Sequence, residues 1–142
     1  MSIQYLTVQD MIWINHCVTG KVGSFQYDVL EEATYYQYGY GASTDIHAQA
    51  VRFLQGFAKK SPFAEGNEAT GFVGFVAFLR ANGKDVRLSA AEAKKLMEAP
   101  ADFIAAAPIR DGHAAHGEPD MRGIIDEVLK EFSGVVKATA PA

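Results

Sequence analysis

Between Thr7 and Thr19, apolar residues recur at the spacing of a helix face, with Met11, Ile14 and Val18 in one stripe. Thr7 with Asp10 three positions on reads as a capping box, Leu6 against Met11 as a hydrophobic staple, and Gly20 as the stop. Asp28 and Glu31 have the same spacing ahead of a second helix that runs to the Tyr-Gly-Tyr-Gly stretch at 38–41. Asp45 caps a third helix, whose apolar positions are Ile46, Ala50, Phe53, Leu54 and Phe57. Lys59 and Lys60 suit its negative end, and it must stop before Pro62.

From Gly71 to Ala81 almost every residue is apolar or small, which predicts a helix buried on all sides. Gly71 and Gly74 there allow neighbours to approach closely. Asn82-Gly83 ends this helix. Ser89 and Glu92 form a further capping box, opening a helix that Pro100 closes. A last amphipathic helix, about 121 to 132, carries Met121, Ile124, Ile125, Val128, Leu129 and Phe132 on one face. Residues 108–120 read as an irregular polar segment and 138–142 as a frayed tail. Strand patterning is scarce: a short β-hairpin arm would fit only at residues 39–44 or from Asp85 to Leu88. The expected fold is mainly α, a bundle of six or seven helices around the 71–81 helix, in a single domain spanning 1–142.

Composition narrows the function classes. With 142 residues, 49% of them hydrophobic, the chain suffices for one core. A net charge of -4 gives no general attraction to nucleic acid or to anionic lipid, so neither is an expected partner. Cys17 is the one cysteine, which rules out an internal disulfide. Met1 to Tyr5 has no basic region leading into an apolar run, and the apolar stretch from Gly71 to Leu79 is too short to span a bilayer. Cytoplasm is therefore the expected location.

The stretch Ser61-Pro62-Phe63-Ala64-Glu65-Gly66-Asn67-Glu68-Ala69-Thr70 resembles the signature loop of the Fic/Doc (Fido) family. In that signature a histidine is followed by Pro-Phe, an acidic residue, Gly-Asn, then glycine or lysine, and an arginine. The resemblance is closest to the Doc (death-on-curing) toxins and extends over about residues 5–97, from Leu6-Thr7-Val8-Gln9-Asp10 through the helix leading into the motif to Phe78-Leu79-Arg80-Ala81-Asn82-Gly83. It implies a Fido-like bundle and a nucleotide site at Glu65, Gly66, Asn67, Glu68 and Ala69, with ATP as cofactor and Mg²⁺ on Glu65. It also implies transfer of AMP or phosphate onto a protein hydroxyl, in one half of a toxin-antitoxin pair.

Departures from the signature point the other way. Ser61 occupies the histidine position, and a hydroxyl cannot accept a proton near neutral pH as an imidazole can. Glu68 replaces lysine or glycine, Ala69 replaces the arginine, and Phe72 stands where Fic members carry a second arginine. Losing preorganised positive charge should silence phosphoryl transfer. The expected function is binding of a protein partner, an antitoxin-like helix or a target protein. An active transferase with altered catalytic residues is the alternative, and self-association through the last helix a third option. Restoring lysine at 68 and arginine at 69 should then return phosphate affinity. Ser61, Glu65 and Asn67 equally fit purely local roles: ending a helix, sitting as a solvated acid, bonding nearby backbone. Asp111, His113, His116 and Glu118 are expected to bind no metal. His16 and His47 fit a helix surface, and Tyr35, Tyr36, Tyr38 and Tyr40 fit either a partner patch or packing of the second helix.

Overall fold

The computed structural model describes residues 3–38, 45–103, 110–111 and 120–139. These residues form a mainly α fold of seven helices: α1 (Val8–Thr19), α2 (Tyr27–Tyr35), α3 (Ile46–Lys60), α4 (Asn67–Ala81), α5 (Ala90–Glu98), α6 (Met121–Glu131) and α7 (Ser133–Thr139). Strands β1 (Lys84–Asp85) and β2 (Arg110–Asp111) add one antiparallel pair.

α4 is the post around which the rest is built, packing against α3, α6, α1 and α5. From Ala69 to Leu79 every residue is buried. Small residues set how closely the neighbours approach: a Cβ at Gly74 would stand 3.0 Å from Met11 Cε and 3.1 Å from the Phe53 ring. The helix begins four residues earlier than its apolar run suggests, because Asn67 to Thr70 form its first turn. Gly66, with φ 77°, turns the chain into it.

The first capping box is present on both sides: Thr7 N–H donates to Asp10 Oδ2 at 2.9 Å, and Asp10 N–H to Thr7 Oγ1 at 3.0 Å. Ser89 and Glu92 make the same exchange at 2.9 and 3.1 Å. Asp45 accepts from Ala48 N–H at 3.2 Å. The proposed box at Asp28 is absent. α2 starts at Tyr27 with Gln26 as N-cap and no side-chain cap bond, so Asp28 lies inside the first turn, favoured there by the helix dipole.

Side-chain amides complete the packing with a repeated device. Gln37 takes Leu6 N–H at 2.6 Å and gives its own N–H to Leu6 C=O at 2.7 Å. Asn82 does the same with Gln4, at 2.8 and 2.9 Å. In each pair one amide side chain satisfies both backbone groups of a single residue, as an antiparallel strand neighbour would. Gln37, buried itself, also passes its own carbonyl to Gln49 Nε2 at 3.0 Å.

The strand pair is not a hairpin: Lys84 faces Asp111 and Asp85 faces Arg110, with α5 between them in sequence. Thus two residues of the segment read as irregular, 108–120, are paired, and Asp120 is the N-cap of α6. Residues 39–44 lie outside the described residues, as do Tyr40, His113, His116 and Glu118. The expected frayed tail is corrected in part, since α7 continues to Thr139. On α6, Ile125 and Val128 are buried, and Phe132 meets Phe72 edge-on at 5.1 Å. Its apolar stripe thus packs on the core of the same chain, with Met121, Ile124 and Leu129 partly buried there. Among the described residues no helix is long and apolar enough to cross a membrane.

Candidate functional site

The loop 61–66 runs from the end of α3 to the start of α4. Ser61 ends α3 in the left-handed region (φ 43°, ψ 61°), a conformation that costs a non-glycine residue about 1 kcal/mol. It is held there by Ser61 N–H to Phe57 C=O at 3.0 Å and by Ser61 Oγ donating to Ala58 C=O at 2.9 Å. The hydroxyl at the histidine position is therefore engaged with the helix end. Phe63 is buried, bridges to Phe25 and packs on it at 5.6 Å, which pins the middle of the loop.

Asn67 repeats the amide device described above. Its Oδ1 accepts from Phe63 N–H at 3.0 Å and its Nδ2 donates to Phe63 C=O at 2.8 Å. Gly66 presses onto α1, where an added Cβ would lie 2.8 Å from Thr19 Cγ2 and 3.3 Å from Asn15 Nδ2. Glu65 is held twice: its carboxylate pairs with Lys21, and its carbonyl accepts from Asn15 Nδ2 at 2.9 Å. Asn15, 1% exposed, also donates to Thr70 Oγ1 at 3.1 Å and so ties the loop and the first turn of α4 to α1.

Beside this loop an open cleft of about 630 Å³ is bordered by residues 64–68, Met97 and Glu98. The N-terminal end of α4 there carries no side-chain cap, which by itself would favour an anion. The side chains oppose one: Glu65, Glu68 and Glu98 border the cleft, and Lys21 neutralises only the first. Ala69 does not reach the cleft, because it is fully buried in the core. An arginine at 69 would have to displace packed side chains, whereas residue 68 borders the cleft. Phe72, at the other arginine position, is fully buried against Phe132.

Comparison with protein-family models, with curated proteins and with solved structures returned no match.

The remaining candidates divide. His16 and His47 are partly buried on their helices, and no cluster that could hold a metal ion occurs among the described residues. The tyrosines are mostly packing groups. Tyr38 packs tilted against Tyr5 with ring centres 4.4 Å apart, and the Tyr36 ring covers Gly56, whereas Tyr35 reaches the surface and donates to Glu31 Oε2 at 3.3 Å. Burial, and then the Asp126 carboxylate, push the Cys17 thiol above its ordinary value, the reverse of what a nucleophile needs.

Residues that the motif does not mark prove as informative. Asn15 organises the loop, and its signal in the sequence is a polar residue four positions after Met11, beside Ile14 on the buried face. Trp13 and Arg122 come from distant parts of the chain, and the Arg122 guanidinium lies 4.7 Å from the centre of the Trp13 ring. No spacing rule brings those two together.

Proposed function

We propose that this chain is a Doc-like Fido-domain protein that has lost the family's transfer chemistry and acts by binding a protein partner at the cleft beside the 61–66 loop. One observation carries the reading: the groups that a transferase would turn toward nucleotide are used to build the loop itself. Ser61 Oγ bonds Ala58, both amide atoms of Asn67 bond Phe63, Glu65 bonds Lys21, and Ala69 is sealed in the core. The Asn67 arrangement recurs at Gln37 and Asn82, where it joins backbone segments and no ligand is implied.

The residues present do not fit ATP with Mg²⁺. Its phosphates would meet Glu68 and Glu98, and Glu65 would have to leave Lys21 to hold the metal. The same carboxylates suit a partner segment bearing lysine or arginine, such as a basic face of an antitoxin-like helix. The alternative, a transferase with altered residues, draws on the uncapped start of α4 but would need Glu65, Glu68 or Glu98 to take the proton in place of the missing imidazole, and Glu65 is already paired with Lys21.

The decisive experiment is calorimetric titration of the full chain with ATP and Mg²⁺, alongside a radiolabel transfer assay. The reading requires no saturable heat and no label on the chain or on added protein. Label that disappears in Glu65→Ala and Asn67→Ala variants that remain folded at the assay temperature would overturn it. The partner clause is tested separately. A protein co-purifying with the parent should be lost with folded Glu68→Lys, and retention at parental yield would place the partner elsewhere.

A further inference from the structure

On α1 the residues Gln9, Ile12, Trp13 and His16 follow the spacing of one helix face, a face distinct from the core stripe of Met11, Ile14 and Val18. The first turn of α6 crosses it. Arg122 lies over the Trp13 ring, and Asp126, one turn further on, accepts the indole N–H at 3.1 Å, so the ring is fixed on its face and at its edge. Gln9, Ile12, Trp13, His16 and Arg122, with Val22 and Phe63, line a half-open hollow of about 290 Å³.

Three features of this hollow are unusual for a surface depression. Its walls are mostly hydrocarbon, and Val22 at the rim is 82% exposed, an apolar side chain left in water. Among the described residues no carboxylate lies within ion-pair distance of the Arg122 guanidinium. His16 Nδ1, in the same wall, is shielded from water and has no hydrogen-bond partner. Buried polar atoms are nearly always satisfied, so an unsatisfied one calls for an explanation such as a bound water or a ligand.

We infer that the hollow binds a compact apolar monocarboxylate, with the carboxylate on Arg122 and the hydrocarbon body against Ile12, Trp13, Val22 and Phe63. A guanidinium recognises a carboxylate through a planar pair of hydrogen bonds. A single arginine with Asp126 one turn away favours a monoanion over a phosphate dianion. The volume is near the lower end for ligand pockets, about 300 Å³, and so excludes a nucleotide while admitting a body of about a dozen heavy atoms. Two sources share this chemistry: a free acid, and the C-terminal residue of a peptide. The inference stands apart from the proposed cleft function, because it uses none of the cleft's carboxylates.

Trp13 is the only tryptophan of the chain, so its fluorescence reports on the hollow directly. The full chain is titrated with 3-phenylpropionate, with its neutral amide, and with short peptides ending in phenylalanine as free acid or amide. The expected result is a saturable change for at least one of the two acids at about 0.1–1 mM, as ligands of this size allow. The matching amide should bind about tenfold more weakly. Arg122→Gln should weaken the acid about as much, Arg122→Lys less, and Val22→Asp should abolish binding with the melting curve unchanged. Whether the free acid, the peptide or both bind identifies the source. Amides that bind as tightly as the acids, acid binding unaffected in Arg122→Gln, or no saturable change with any probe up to about 10 mM would each overturn the inference.

Discussion

The cleft at the start of α4 and the hollow around Trp13 stand on either side of the same few residues, yet they are built oppositely. Phe63, in the loop beside the cleft, is also a wall of the hollow. Asn15, which borders the hollow, holds the Glu65 carbonyl of the loop. In the cleft, the loop's polar side chains are engaged with the protein and the charges facing outward are carboxylates. In the hollow the walls are mostly apolar, and among the described residues Arg122 has no carboxylate partner and His16 Nδ1 no hydrogen-bond partner. Residue identities alone direct attention to the first, because it carries the recognisable string. The distribution of satisfied and unsatisfied groups directs it to the second.

Four perturbations test that contrast, in order of falling effect. Ala69→Arg places a charge in a sealed core position and should cost about 3–5 kcal/mol by denaturant unfolding. A variant of parental stability that also binds ATP with Mg²⁺ would mean that residue 69 opens to the cleft after all. Gly66→Ala combines a left-handed backbone with a 2.8 Å approach to Thr19, and about 2–4 kcal/mol should be lost. Asn67→Ala removes two hydrogen bonds to Phe63 and should lower stability by about 1–2 kcal/mol. If the role is architectural, the more buried Gln37→Ala should cost at least as much, and a negligible change at Asn67 would argue that its conservative fit to the motif serves a ligand.

The smallest effect compares two helix starts. α5 has a carboxylate built into its cap, whereas α4 has none. Bonds from the Ser89 backbone N–H, then from its hydroxyl, hold Glu92 below its ordinary value near 4.5. A lowered folded value stabilises the protein at pH above the unfolded one, and the contribution is lost as pH falls through the folded value. Glu92→Gln should therefore melt slightly below the parent at pH 7, with the gap closing below about pH 4.5. A gap that persists at pH 3 would assign the loss to the amide's geometry instead of the charge.

Much of the architecture could be read from spacing. The stripe of α1, the boxes at Thr7 and Ser89, the cap at Asp45 and the buried run of α4 depend on neighbours three or four residues apart, which the sequence displays directly. Long-range contacts leave no such local trace. The first turn of α4 was hidden because Asn-Glu-Ala-Thr is polar in composition, and its burial comes from α1 through Asn15. The β1 and β2 pair spans α5, and no local rule announces it. α7 carries too few apolar positions to register as a helix on its own, and Val136 is buried only once α5 and α1 are beside it. At the candidate site, position was legible but state was not. The string located the loop, whereas the sealing of Ala69 depends on the packed core.

The amide pairs at Gln37 and Asn82 have a consequence for how the chain folds. They bind Leu6 and Gln4 across 31 and 78 positions of sequence, so the segment before α1 can close only after α2 and the whole of α4 exist. Contacts of such long range close late, because the loop entropy between them must be overcome first. The segment is then the final seam of the bundle and the first to part when α4 loosens. In hydrogen exchange the amides of Gln4 and Leu6 should therefore be protected, but less than those of α4, and should lose that protection before α4 does.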